Sequence, residues 1–241
     1  MKALILAGGR GKRMGDISND KNKCLIKIGD KPLIQYSLDC AVNAGVSEIC
    51  IVVGYKAEDI INTFGNRYKG LPIKYALQVE QKGLVHAIEC AQKALGKDDF
   101  MLMLGDEIMR APRHSEMIEK YSKENLFALC GVVKVEDKEL VKKTYSIIED
   151  AGHRIFRLIE KPLNPLNNIM GTGNVIFKNE ILFYIPQTPI SQKRGEKELV
   201  DLIQCAIDDG KIVKSFLICN AYLNVNDPEE IERAGSFFAH L

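Results

Sequence analysis

Runs of consecutive apolar residues, many of them β-branched, alternate with longer amphipathic stretches through the first hundred positions. This is the pattern of strand-helix-strand units around a mostly parallel sheet. Ala3–Leu6 reads as a buried strand, and Pro32 opens a helix to about Asn43, because proline suits the first helical turn and Ala44-Gly45 closes it. Glu48–Val53 is a second strand, Ala57–Phe64 a helix and Ile73–Gln78 a third strand. A helix follows from Gly83 to about Leu95, with Ala87, Cys90, Ala91 and Ala94 on one face. Phe100–Leu104, apolar at every position, is a fully buried fourth strand.

Past Gly105 the pattern changes to a helix near Ser115–Ser122 and strands at Phe127–Val133, Thr144–Glu149, Arg154–Ile159 and Asn174–Phe177. A helix at Lys197–Asp208, a strand at Val213–Ile218 and a last helix from Pro228 complete it. No Gly/Ser/Pro-rich linker marks a boundary, so the reading is one α/β domain over residues 1–241, the later strands extending the same sheet.

Composition adds exclusions. With 241 residues, 46 % apolar, the chain can bury a real core without disulfide or metal staples. The 33 Lys+Arg against 32 Asp+Glu give a net charge of +1, which speaks against nucleic acid or a membrane surface as partner. Seven scattered cysteines without a C-x-x-C, and four dispersed histidines, form no zinc pattern and read as reduced core thiols. The opening MKALILAGG is too short for a secretory apolar region, so a cytoplasmic protein is expected.

The charge is not evenly spread. Between Arg10 and Lys31 seven basic residues face three acidic ones, and this stretch follows the first strand through Leu6-Ala7-Gly8-Gly9-Arg10-Gly11-Lys12-Arg13. A glycine-rich turn at the carboxyl edge of a sheet lets backbone N–H groups approach a phosphate, and the basic residues add charge there. The G-x-x-x-x-G-K-[ST] phosphate loop is absent, and the spacing Gly9-x-Gly11-x-x-x-Gly15 is not the dinucleotide G-x-G-x-x-G. An acidic residue at the end of the second strand, which a dinucleotide site wants, is replaced by Gly54-Tyr55.

This loop resembles the signature L-x-G-G-x-G-x-R-[ML] of the nucleotidyltransferases that activate sugar 1-phosphates. Lys23-Cys24-Leu25-Ile26 and Gly29-Asp30-Lys31-Pro32-Leu33-Ile34 are similar to the K-x-L-[LIV] and G-x-K-P-[ML]-I segments that follow it, and the likeness runs over nearly the whole chain. The resemblance implies a single Rossmann-like three-layer domain with a mixed, mostly parallel central sheet. It also implies transfer of a nucleoside monophosphate from a triphosphate (CTP, UTP or dTTP) to a phosphorylated small molecule, with Mg²⁺. Arg13 and Lys23 would be the catalytic cations. Leu6, Ala7, Gly8, Gly9, Gly11 and Lys12 would hold the nucleotide, with Gln78 and Gly83 of a Q-x-x-x-x-G-L-x-x-A stretch at the base. Asp106 of the L-G-D segment would bind the metal with Asn224 or Asn226, which the sequence alone leaves undecided.

On the acceptor side, Glu160-Lys161-Pro162 is similar to the family's E-K-P, with Lys161 meeting the acceptor phosphate and Glu160 its hydroxyls. Ser146 stands where the family has a glycine near the sugar, and Asn174 where an apolar or aromatic residue is usual. Glu107 adds a carboxylate beside Asp106. These departures leave two acceptors open, a hexose 1-phosphate, or a phosphonate or phosphocholine-like group activated by CTP. A non-catalytic nucleotide-binding homologue is the reading from another class; it would be expected to lose Lys23, Asp106 or Lys161, and all three are present. The apolar Gly235–Leu241, with Phe237 and Phe238, packs either on the core or on another subunit, so a homo-oligomer stays open.

Overall fold

The computed structural model describes residues 1–11, 13–14 and 21–237. Its strands are β1 (Lys2–Leu6), β2 (Lys27–Ile28), β3 (Lys31–Pro32), β4 (Ile49–Val53), β5 (Arg67–Tyr68), β6 (Leu71–Leu77), β7 (Phe100–Leu104), β8 (Glu107–Arg110), β9 (Ala128–Lys134), β10 (Tyr145–Glu149), β11 (Ile155–Glu160), β12 (Ile169–Phe177), β13 (Val213–Leu217) and β14 (Ala221–Asn224). The helices are α1 (Leu33–Asn43), α2 (Ala57–Phe64), α3 (Gly83–Cys90), α4 (Gln92–Leu95), α5 (His114–Lys123), α6 (Leu199–Asp208) and α7 (Pro228–Phe237).

The centre of the main sheet runs β7-β1-β4-β6, all parallel, which fits the unbroken apolar sequence of β4, β7 and, from Ala3 on, β1. Successive residues of these strands go to opposite faces. Leu4, Leu6, Cys50, Val52 and Leu102 pack under α3 and α6, whereas Ala3, Ile5, Ile49, Ile51 and Met103 pack under α1, α2 and α5. Two cores on one sheet make the three layers. Beyond β7 the direction reverses: β12 lies antiparallel to β7, followed by β10 and β11, and β9 with β13 branches from β12.

The parallel register places the carboxyl ends of β1, β4, β6 and β7 at one edge, with Leu6 opposite Leu104 and Val53 opposite Leu77. Because β12 is antiparallel, its Gly171–Gly173 segment arrives at the same edge. There is no room there for side chains: a Cβ on Gly171 would stand 2.1 Å from the Tyr145 ring and one on Gly173 2.3 Å from Leu104 Cγ. Gly171→Ala is expected to lower stability by about 1–3 kcal/mol or more through overpacking, read as a drop in the denaturant midpoint with an unchanged slope.

Some expectations change. The single helix expected over 83–95 breaks at Ala91, whose N–H turns back to Ile88 O, and resumes as α4. The strand expected from Asn174 begins at Ile169. The ribbon β8-β14, which pairs Glu107 with Asn224, was not readable locally. All seven cysteines are free, and burial pushes the Cys24, Cys50, Cys130 and Cys219 thiols up to about 12. Phe237 packs within the chain against the Met14, Ile28 and Val225 cluster, and Phe238 lies outside the described residues. No helix of the described residues is long and apolar enough to cross a membrane.

Candidate active site

The strand ends open into a cleft of about 560 Å³. One wall is the glycine-rich turn, where Leu6, Ala7, Gly8, Gly9, Gly11 and Arg13 line the space; Lys12 lies outside the described residues. Gly11 has φ 62°, and a Cβ there would press on the Lys23 stem at 3.1 Å, so glycine serves both the turn and the lysine beside it. Asn22, fully buried, ties this wall together. Its amide donates to Ala7 O and Tyr55 O while its Oδ1 accepts from Cys24 N, capping the short turn that carries Lys23.

Lys23 stands at the cleft floor with only 7 % exposure, its ammonium 2.6 Å from Asp106 Oδ2 and 3.0 Å from Asn226 Oδ1. Asp106 is placed there by Gly105 at the end of β7 and by Val225 N–H, which donates to its carbonyl. Asn226 is oriented by Asn224, whose Oδ1 accepts its amide N–H at 2.8 Å, and by Glu230, which accepts its backbone N–H. Both asparagines line the cleft. The donor set of one carboxylate and amide oxygens beside open space suits Mg²⁺, which takes few protein ligands and keeps phosphate and water oxygens.

Glu107, next in sequence, also borders the cleft, but its carboxylate is taken up by other partners. Its carboxylate accepts from Gly173 N–H (2.8 Å), the Tyr222 hydroxyl (2.5 Å) and Asn174 Nδ2 (2.6 Å). Burial pushes its carboxyl up to about 8, with Asp106 adding to the rise and the hydrogen bonds opposing it. Asn174 does not line the cleft. It is a buried bridge from Glu107 to His114, whose ring Nε2–H donates to Asn174 Oδ1 at 2.8 Å, and it lines a smaller cavity of about 320 Å³. Ser146 is likewise buried and outside the cleft lining; strand alternation presents Tyr145 instead.

Burial lowers the His114 pKa, the Asn174 bond opposing it. The unfolded chain then binds a proton here that the folded chain does not, so this residue's contribution is present above the ordinary histidine value and lost as pH falls below it. His114→Gln is expected to show a smaller loss of melting temperature than the wild type between pH 7.5 and 5.5; an equal slope would remove His114 as the cause.

Gln78 and Gly83 line the cleft with Gln81. The opposite wall carries Glu160, Lys161 and a group the sequence did not disclose. Lys161 has φ 43°, and its ammonium is 3.5 Å from Glu160. Arg194, in the turn closed by Gly195 (φ 71°), meets Glu196 at 2.6 Å, Glu198 at 3.3 Å and Glu160 at 3.7 Å. Burial raises the Glu160 and Glu198 carboxyls while the neighbouring cations pull them down. The only signal was the charged run Lys193-Arg194-Gly195-Glu196-Lys197-Glu198, which reads equally as the start of a helix. Glu198 Oε1 and Thr144 Oγ1 are buried atoms without a hydrogen bond among the described residues, both on cleft-lining residues.

Comparison with known proteins places the whole chain. The family model described as nucleotidyl transferase matches residues 2–224. The chain is 33 % identical over 234 residues to a UTP-glucose-1-phosphate uridylyltransferase of Haloferax volcanii, covering 97 % of this chain and 95 % of that protein. It is 30 % identical over 239 residues to a glucose-1-phosphate thymidylyltransferase of Streptomyces griseus, covering 97 % of this chain and 65 % of that protein. A solved UDP-glucose pyrophosphorylase complexed with UDP-glucose superposes with a TM-score of 0.90 at 22 % identity, over 99 % of this chain and 98 % of that one, which shows the shared fold. The chain, by this match along almost its whole length, belongs to the nucleotidyl transferase family.

Proposed function

We propose that the protein transfers a nucleoside monophosphate from a triphosphate to a sugar 1-phosphate, giving a nucleoside diphosphate sugar and pyrophosphate. The observation that carries this reading is the Lys23 ammonium held between Asp106 and Asn226 on the floor of a cleft whose walls differ. One wall offers glycine backbone and Arg13 to phosphates, and the other pairs Lys161 and Arg194 with three carboxylates.

In the reaction an acceptor phosphate oxygen attacks the α-phosphorus in line and the bond to the pyrophosphate oxygen breaks. A phosphate monoester, with a second pKa near ~6, is already mostly dianionic and needs no strong base. The protein's work is positioning and charge compensation. Lys23 and Arg13 meet charge on the departing pyrophosphate, and Lys161 with Arg194 seats the acceptor phosphate. Glu160, Glu198 and the Thr144 hydroxyl are suited to the hydroxyls of a sugar, because carboxylates accept and a hydroxyl both donates and accepts. Mg²⁺, when bound, neutralises phosphate charge. Asp106 and Asn226 are the residues that would hold it, since their oxygens converge on one ammonium, whereas Asn224 orients Asn226.

A matrix of nucleoside triphosphates against sugar 1-phosphates, phosphonates and phosphocholine, read by pyrophosphate release and product mass, tests this. A nucleoside diphosphate sugar in the sugar arm is expected. Turnover confined to phosphocholine or phosphonate, or none in any arm, overturns it.

A further inference from the structure

The middle of β12 is not a regular strand. Its ladder with β9 pairs Gly171 with Val132 and Val175 with Cys130, so Thr172, Gly173 and Asn174 stand against Gly131 alone. Such a bulge leaves backbone groups without ladder partners, and side chains take them up here. Thr172 Oγ1 donates to Gly131 O at 2.8 Å and accepts the Asn174 backbone N–H at 3.1 Å. The Gly173 N–H is taken by Glu107 Oε1 of β8, 2.8 Å away.

This bulge belongs to the wall opposite the glycine-rich turn. Gly171, Thr172 and Gly173 line the cleft with Tyr145, Glu160 and Lys161. The Tyr145 ring lies over Gly171, its hydroxyl donates to Thr172 O at 3.2 Å, and its strand register sets it opposite Glu160. A shift of the bulge therefore shifts the groups that face an acceptor. On the other side, the same Glu107 Oε1 accepts from the Tyr222 hydroxyl of β14, the strand that leads to Asn224 and Asn226, while Asp106 directly precedes Glu107. One carboxylate joins the cleft floor to that wall. Its Oε2 accepts from Asn174 Nδ2 at 2.6 Å, and Asn174 Oδ1 is held in turn by His114, so the carboxylate is fixed at both oxygens. Glu107 and Asn174, which the sequence displays as separate departures, form one unit.

We infer that Glu107 is a positioning residue for the acceptor: by holding the Gly173 N–H and the Tyr222 hydroxyl on one oxygen, it sets the β12 bulge, and with it Tyr145 and Glu160, at a fixed place above the floor that carries Asp106 and Asn226. Its effect passes through Gly173 and the bulge. The inference rests on the reading of the cleft as a nucleotidyl transfer site with the sugar 1-phosphate on this wall, and it adds what keeps that wall in place. None of these bonds reaches the glycine-rich turn, so the hold on the triphosphate does not depend on them.

Glu107→Gln keeps the size of the side chain but puts one oxygen and one NH₂ group where two oxygens stood. With the oxygen serving Gly173 and Tyr222, the NH₂ group meets that of Asn174, donor against donor. Adding Asn174→Asp removes the conflict, because the new carboxylate accepts both from the introduced amide and from the His114 ring N–H. The test measures melting temperatures and steady-state kinetics of the wild type, Glu107→Gln and the double variant, with UTP and glucose 1-phosphate or the best pair from the matrix above. Glu107→Gln is expected to raise KM for the sugar 1-phosphate by about tenfold and that for the triphosphate by less than about threefold, and the double variant to return the acceptor KM to within about threefold of the wild type. A merely structural role would lower the melting temperature without separating the two KM values. An unchanged acceptor KM in Glu107→Gln, an equal rise in both KM values, a folded double variant whose acceptor KM stays as high as that of the single one, or failure of both variants to fold overturns the inference while the transferase reading stands. Absence of turnover by the wild type with every sugar 1-phosphate overturns that reading, and this inference with it.

Discussion

Lys23→Ala is expected to lower the turnover number for pyrophosphate release by about 100- to 1,000-fold, the loss of about 2.7–4 kcal/mol that follows removal of one preorganised charge at a developing anion. The lysine is only 7 % exposed and is fixed before substrate arrives: Gly11 leaves room for its stem, Asn22 caps its turn, and Asp106 and Asn226 hold its ammonium. No side chain has to be reorganised as charge builds on the leaving group. Asp106→Ala is expected to fall as far, because it removes the carboxylate proposed to hold Mg²⁺ and leaves the Lys23 ammonium without its closest partner. Since the two act as one unit, Lys23→Ala combined with Asp106→Ala should be much less than the product of the single losses. Either single variant within tenfold of the wild type would refute the assignment, provided its melting temperature shows it folded.

These residues were legible because they follow features that a chain displays locally. The glycine turn comes straight after an apolar run, Asp106 straight after another, and a parallel sheet brings both strand ends to one edge. What depends on exact register or on distant pairing was not legible. Tyr145 and Ser146 differ by one position, and a strand sends one to the cleft and the other away from it. Asn174 sits within the register shift between Gly171 and Val175, which no sequence period reveals. Its buried partnership with Glu107 also depends on Tyr222, 115 residues from that glutamate, whose hydroxyl closes the same carboxylate. From the sequence Glu107 could either make the cleft floor more acidic or face away, and the pairing of β8 with β14 together with the Gly173 N–H of β12 decides where its carboxylate goes. Arg194 was hidden for a different reason. A charged loop advertises solvent exposure, and only the fold shows that this one turns back over the cleft.

Arg194→Ala is expected to raise KM for the sugar 1-phosphate by about 10- to 100-fold, the range for losing a hydrogen bond to a charged group, with KM for the triphosphate little changed. The guanidinium does two things at this wall. It is a fork of donors near Lys161, and it is the common counter-ion of Glu160, Glu196 and Glu198. Without it the Glu160 and Glu198 carboxyls, which burial already raises and Arg194 pulls down, rise further. A larger fraction is then protonated at a given pH and unable to accept from a sugar hydroxyl. Part of the lost acceptor affinity should therefore return as pH rises, a dependence that mere removal of a phosphate contact would not produce. Arg194→Lys keeps the charge but offers one compact ammonium in place of a planar fork reaching three carboxylates, so it should restore the pH profile more fully than it restores KM. If instead Arg194→Ala raises KM for the triphosphate and leaves that for the sugar 1-phosphate unchanged, the two walls of the cleft have been assigned the wrong way round.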